Sequence, residues 1–266
     1  MCYYMGCKVT RADFIRLKAI EKELRNLKLN RLAHNGFEYK DWPIIRPIEN
    51  GKDIVIENIH WEYIPPSVLD EHDLIKFRDQ YDTLNAKAEN LFINEKGKPS
   101  MWTDGALNGR CLFIASYFFE WRHFPKYGKR GENKGKLLKT EDTYPYLIRR
   151  KANEEFFLMA GISREWTNYL RGQTARTAAQ VTVPANSIIA QIHNKKKRQP
   201  TILPEELAWE WIQPGLSKER ILEIASYQMP SDQTDFWTVK KGFLKSADPT
   251  KKHIYKGIPP IITKAA

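Results

Sequence analysis

The chain has 266 residues, 42% hydrophobic and 28% charged, enough apolar material for one large folded domain and too much for a disordered tail. Lys and Arg number 43 against 32 Asp and Glu, and the resulting net charge of +11 points to a polyanionic partner such as nucleic acid, or to an anionic membrane surface. Three cysteines are too few for a disulfide framework, and the longest apolar run, CLFIASYFF at 111–119, is too short for a membrane span; with no signal-peptide core, an intracellular protein of a reducing compartment is expected.

Thr10 with Asp13 three residues on has the form of a capping box, and Phe14, Leu17, Ile20, Leu24 and Leu27 follow at helical spacing, which predicts a helix over about 11–28. Pro43 and Pro47 mark an extended segment, and DIVIENIHWEYIP alternates apolar and polar residues as a strand ending at Pro65 and Pro66. Trp61 in that strand reads as core. CLFIASYFFEW and EFFLMAG, short, apolar and rich in aromatics, read as buried strands. Between them HFPKYGKRGENKGKLLKTEDTYP carries three glycines among six Lys or Arg, the composition of an exposed mobile hairpin or loop. A strand to Val183, a short helix to about His193, a basic turn, a helix opened by Pro204 and its two glutamates, and a last helix opened by Ser217 complete the series. The residues after Lys245 read as loose and basic.

The chemistry begins at Met1-Cys2. Loss of the initiator methionine would leave Cys2 with a free amine beside its thiol. Such a 1,2-aminothiol condenses with an aldehyde to an imine, and the sulfur then closes a thiazolidine ring. The amine has an ordinary pKa of about 7.7 to 8.0 and the thiol about 8.5, so both are partly in reactive form near neutral pH. Cys7 and Cys111 can never present that amine.

Four segments in order, Met1-Cys2, LNAKAEN at 84–90, RCLFIASYFFEW at 110–121 and VTVPANSIIAQIHNKKKRQPTIL at 181–203, resemble the motifs of the SOS-response-associated peptidase (SRAP) family. The resemblance runs from Cys2 to about Leu216 and implies a fold: a single α+β domain over about 1–240 with a mostly antiparallel, barrel-like or two-sheet β core flanked by helices, then a loosely ordered basic tail at 241–266. It also implies an activity, the covalent capture of abasic sites in single-stranded DNA as a thiazolidine, shielding the lesion during the damage response, with autopeptidase and lyase activity associated. A monomer without cofactor or metal is expected.

Carried onto this sequence, the resemblance makes Cys2 the nucleophile, Asn85 the amide that holds the amine or sugar oxygen, Glu120 the proton shuttle of imine formation, and His193 the acid or base at the sugar oxygen. For DNA it implies phosphate contacts by Lys87 and Thr182; Lys195 and Arg198 belong to a basic cluster just past His193, and Trp121, beside the acid, reads either as a base-stacking ring or as core. The family pattern is broken at Tyr3 and Tyr4, aromatics where glycine and arginine are usual and able to stack on bases. It is broken again at Tyr117, Ser67, Val68 and Gln199. Two other readings compete: a cysteine hydrolase using Cys2 or Cys111 with His193 as base, and a non-catalytic basic module for nucleic acid.

Overall fold

The computed structural model describes residues 2–9, 14–17, 20–23, 29–151 and 155–263. The chain opens with short strands, β1 (Tyr4–Cys7), β2 (Phe14–Leu17), β3 (Ile20–Glu23) and β4 (Arg31–Asn35), and continues with β5 (Asp41–Ile48) and β6 (Asp53–Trp61). Helix α1 (Glu71–Gln80), strand β7 (Asn85–Lys87) and helix α2 (Thr103–Asn108) precede the long strands β8 (Arg110–Ala115), β9 (Tyr117–Tyr127), β10 (Leu137–Arg150), β11 (Phe157–Asn168) and β12 (Gln173–Pro184). Then come α3 (Ser187–Ile192), β13 (Arg198–Pro200), β14 (Ile202–Leu203), α4 (Glu205–Trp211), α5 (Lys218–Ala225) and β15 (Thr234–Thr238).

Strands β12, β6, β5, β8 and β11 are hydrogen-bonded in that order, and β11 pairs again with β12, closing the sheet into a barrel that β7, β13 and β14 extend. A second, antiparallel sheet runs β15-β10-β9-β1-β4. The expected α+β architecture with a mostly antiparallel, barrel-like core is therefore the one observed; β12 is parallel only to β6 and β7 among the described residues. Closure leaves the barrel side chains Trp42, Trp61 and Phe113 dry, with no exposed surface, and Trp211 of α4 is equally buried. Each buried indole finds an acceptor, Trp42 on the Ile114 carbonyl at 2.9 Å, Trp61 on Leu84 at 3.0 Å and Trp211 on Cys111 at 3.0 Å. The Trp61 bond fastens the segment that leads into Asn85.

CLFIASYFFEW is two strands, not one. Its break at Ser116 sends β8 into the barrel and β9 into the second sheet, and the Ser116 amide donates to the Gly6 carbonyl at 2.8 Å. At the start of β9, Tyr117 lies over Gly6, where a Cβ would come 2.1 Å from the ring, and its hydroxyl donates to the Leu32 carbonyl at 2.7 Å. The lysine-rich segment is a hairpin of β9 and β10, paired from Phe118 with Ile148 out to Tyr127 with Leu137.

The expected helix over 11–28 is overturned where the chain is described. Residues 14–17 and 20–23 form an antiparallel ribbon, while Thr10, Asp13, Leu24 and Leu27 lie outside the described residues. Ile15 and Leu17 are fully buried with exposed Arg16 between them, a period of two that the helical spacing of Leu17 and Ile20 obscured. Lys22 then ties β3 to the barrel through Asp53 at 2.6 Å. The later helices start where their caps stand: Asn186 Oδ1 accepts from the amides of Ile188 and Ile189, and Ser217 Oγ from that of Arg220. After Lys245 the chain returns to the body, with Trp237 Nε1 donating to the Thr250 carbonyl at 2.8 Å and Arg122 to that of Pro259 at 2.6 Å.

Candidate active site

Strand β1 lies between β4 and β9, with Tyr4 opposite Phe119, and the Cys2 thiol, two residues before the strand, lies against the Glu120 carboxyl. Cys2 is buried, with 1% of its surface exposed, and its carbonyl accepts a hydrogen bond from Gln180 Nε2. Burial pushes its thiol well above the ordinary range, and the adjacent Glu120 charge pushes it further.

Glu120 is buried in turn. Its Oε2 lies 3.5 Å from His193 Nε2, and its Oε1 has no hydrogen-bond partner among the described residues. Desolvation raises its carboxyl to about 7, so near neutral pH it holds a proton about half the time. His193 ends α3, where the chain leaves helical dihedrals. Its Nδ1 lies 2.9 Å from the Arg198 carbonyl, which can only accept, so Nδ1 carries the proton and Nε2 presents a lone pair toward Glu120. Burial lowers this imidazole to about 4, which keeps it neutral at physiological pH. The proton of this pair therefore rests on Glu120, and the His193 Nε2 lone pair faces it.

Asn85 reaches Cys2 through an intermediary that the motifs did not single out. Strand β7 runs parallel to β12 with Asn85 in register with Gln180, and Gln180 Nε2 donates both to Asn85 Oδ1 at 2.7 Å and to the Cys2 carbonyl. That leaves Asn85 Nδ2 and Gln180 Oε1, both buried, without partners among the described residues. A glutamine in the middle of the apolar strand AAQVTV was the available signal, because a buried amide needs partners.

The DNA-binding candidates divide. Tyr3, Tyr4, Trp121, Lys195 and Lys196 line a 570 Å³ pocket whose wall also includes Glu120 and His193, with Tyr4 edge-on to Trp121 at 4.7 Å between ring centres. Lys195 is half-exposed and paired with Glu141 at 2.5 Å, which also holds His123 at 2.9 Å. Lys87 pairs with Glu95 at the surface. Thr182 and Arg198 face inward: Thr182 has no exposed surface, and Arg198 forks onto Glu89 at 2.5 and 2.9 Å while its Nη2 donates to the Thr182 carbonyl at 2.6 Å. The basic run after His193 therefore splits into lysines that face solvent and an arginine that braces the turn carrying His193. Cys7 and Cys111 are fully buried, each thiol pushed up to about 12 chiefly by desolvation. No helix among the described residues is long and apolar enough to cross a membrane.

The model of the SOS response associated peptidase (SRAP) family matches residues 1–245. The chain is 26% identical over 194 residues, 73% of its length and 71% of the relative's, to the abasic site processing protein YedK of Escherichia coli. Among solved structures, a protein from Bacteroides thetaiotaomicron superposes with a TM-score of 0.67 at 27% identity, covering 84% of this chain and 85% of that one. A phage-related protein from Bordetella bronchiseptica shares the fold at a TM-score of 0.63 and 21% identity, over 90% of this chain and 94% of its own. With a match that spans nearly the whole folded body, the chain belongs to the SOS response associated peptidase family.

Proposed function

We propose that this protein captures abasic sites in single-stranded DNA as a covalent thiazolidine at Cys2 once Met1 has been removed. The observation that carries the reading is the convergence of Cys2, Glu120 and His193 from three distant segments: Glu120 and His193 form the wall of a pocket rimmed by aromatic and basic side chains, and Cys2 is buried directly against Glu120. The name of the Escherichia coli relative, an abasic site processing protein, supports the same substrate.

The ring-opened sugar of an abasic site supplies an aldehyde. The Cys2 amine adds to its carbonyl carbon, and the carbinolamine hydroxyl leaves as water after taking a proton, which Glu120 holds at neutral pH. The Cys2 sulfur then attacks the imine carbon, its proton passes to the nitrogen, and the ring closes, so protein and DNA join with the loss of one water. His193, neutral and proton-free at Nε2, faces the Glu120 carboxyl, leaves the proton on it and orients it toward the reacting atoms. Asn85, fixed by Gln180, offers its Nδ2 hydrogens to the sugar oxygen. Tyr3, Tyr4 and Trp121 supply stacking faces for bases exposed only in a single strand.

A thiol raised by burial argues against the hydrolase alternative, which needs a ready thiolate, and suits a sulfur that reacts only after an imine stands beside it. The test is a denaturing gel of protein mixed with single-stranded DNA carrying an abasic site, read alongside the intact mass. A slow-migrating adduct one water lighter than its parts is expected, absent in Cys2→Ser and absent when an extra residue caps the Cys2 amine. An adduct that survives the cap refutes the thiazolidine, since a thiol hydrolase would tolerate that extension.

A further inference from the structure

A second concavity of 470 Å³ is lined by Lys240, Phe243, Asp248, Lys251, Lys252 and His253. Its outer wall is built by chain that lies past residue 245, where the family match ends. This segment is fastened to β15: Val239 bridges Lys252, the His253 amide donates to the Thr238 carbonyl at 2.9 Å, and Trp237 Nε1 donates to the Thr250 carbonyl at 2.8 Å. The three lysines are exposed and make no ion pair among the described residues, and the Lys252 ammonium stands 5.0 Å from the centre of the Trp237 ring. Asp248, the carboxylate of the lining, is occupied with the Thr250 amide at 3.0 Å and its hydroxyl at 2.7 Å. Three ammonium groups gathered at a concave surface suit a phosphate oxygen better than a carboxylate-bearing protein patch, for which no arginine fork is provided.

The cleft adjoins the Cys2 pocket through one aromatic partition. Phe243, on the cleft's wall, stacks on Phe119 at 4.2 Å and stands 5.9 Å from Trp121, which lines the pocket. We propose that the cleft holds a phosphodiester of the same single strand whose damaged nucleotide enters the Cys2 pocket, the intervening strand crossing the edge of the Trp121 and Phe243 layer. This inference rests on the function proposed above for the identity of the strand, and it makes a segment outside the family match part of the DNA grip.

The probe is undamaged oligothymidylate, about four or about sixteen nucleotides long, with binding followed by anisotropy across a salt series. A single-strand phosphate contact contributes about 0.7 to the slope of log affinity against log salt, so combining Lys240→Gln, Lys251→Gln and Lys252→Gln removes about 2 from that slope if all three engage. The loss is expected with the long oligomer and not with the short one, with the melting temperature of the protein unchanged. An unchanged slope with the long oligomer overturns the proposal, as does an equal loss at both lengths, which would mark diffuse charge. Inorganic phosphate that binds the wild type and not the triple variant, with DNA slopes unchanged, would make this a free-phosphate site and equally sink the strand reading. Undamaged DNA carries no aldehyde, so the result stands even if Cys2 forms no adduct. Normal crosslinking with unchanged slopes, conversely, removes the cleft alone.

Discussion

Replacing Glu120 with Gln separates the stability of this site from its chemistry. In the folded protein burial raises the carboxyl from its ordinary 4.5 to about 7, so the fold retains a proton that the unfolded chain releases. Below pH 4.5 both states are protonated and the shift costs nothing; between 4.5 and 7 the unfolded chain ionises first and the fold loses stability; above 7 the loss is constant. A shift of that size corresponds to about 3 kcal/mol. Glutamine has the shape of the protonated acid and never ionises, so Glu120→Gln is expected to be about 3 kcal/mol more stable than wild type at pH 8 and equal to it near pH 4. For a chain of this size that gain is a rise of roughly 6 to 12 °C in melting temperature. Chemical denaturation at the two pH values measures the difference, and the denaturing gel measures crosslinking, which should slow sharply in the same variant while affinity for undamaged DNA holds. A variant no more stable than wild type at pH 8 would refute the buried, raised carboxyl; joint loss of crosslinking and DNA affinity would assign Glu120 to structure.

Crosslinking by wild type should show a pH limb near 7 from Glu120 that disappears in Glu120→Gln, leaving the limb of the Cys2 amine; a limb near 7 retained when the Cys2 amine is also capped would point to another group. Arg198 and Lys196 should part company. Arg198→Ala, which strands Glu89 and frees the His193 turn, is expected to cost about 2 to 3 kcal/mol and slow crosslinking with the salt slope unchanged. Lys196→Gln should leave stability alone and lower the slope by about 0.7. Gly6→Ala drives a methyl into the Tyr117 ring and the Leu32 carbonyl, and should cost about 2 kcal/mol or more, with part recovered when Tyr117→Ala is added, as denaturation of the single and double variants would report.

Much of this fold was legible in the chain because local chemistry and tertiary role coincide. The alternation of DIVIENIHW suits a half-buried strand, Asn186 and Ser217 cap the helices they precede, and the glycine and lysine punctuation of 123–145 turns a hairpin. The segment 14–23 failed because Leu17 and Ile20 satisfy a helical spacing, while packing selected Ile15 and Leu17 as one buried face; neighbours distant in sequence made that choice. Ser116 likewise looked like a member of one apolar run until two different sheets claimed its flanks.

The site divides along the same line. The order of Cys2, Asn85, Glu120 and His193 stands in the sequence, where the resemblance to the family motifs marks them as candidates. Which charges remain available for a ligand was decided by the fold. Thr182 and Arg198 stand in the right motif, but strand pairing turns both inward, where the guanidinium meets Glu89 and the hydroxyl meets its Nε. Gln180, silent in every motif, becomes the link between Asn85 and Cys2 only because β7 lies parallel to β12 in one register. Protonation states belong to the fold as well, since desolvation needs neighbours: the same Glu and His side chains in water would titrate at 4.5 and 6.5, and burial carries them past one another to about 7 and about 4.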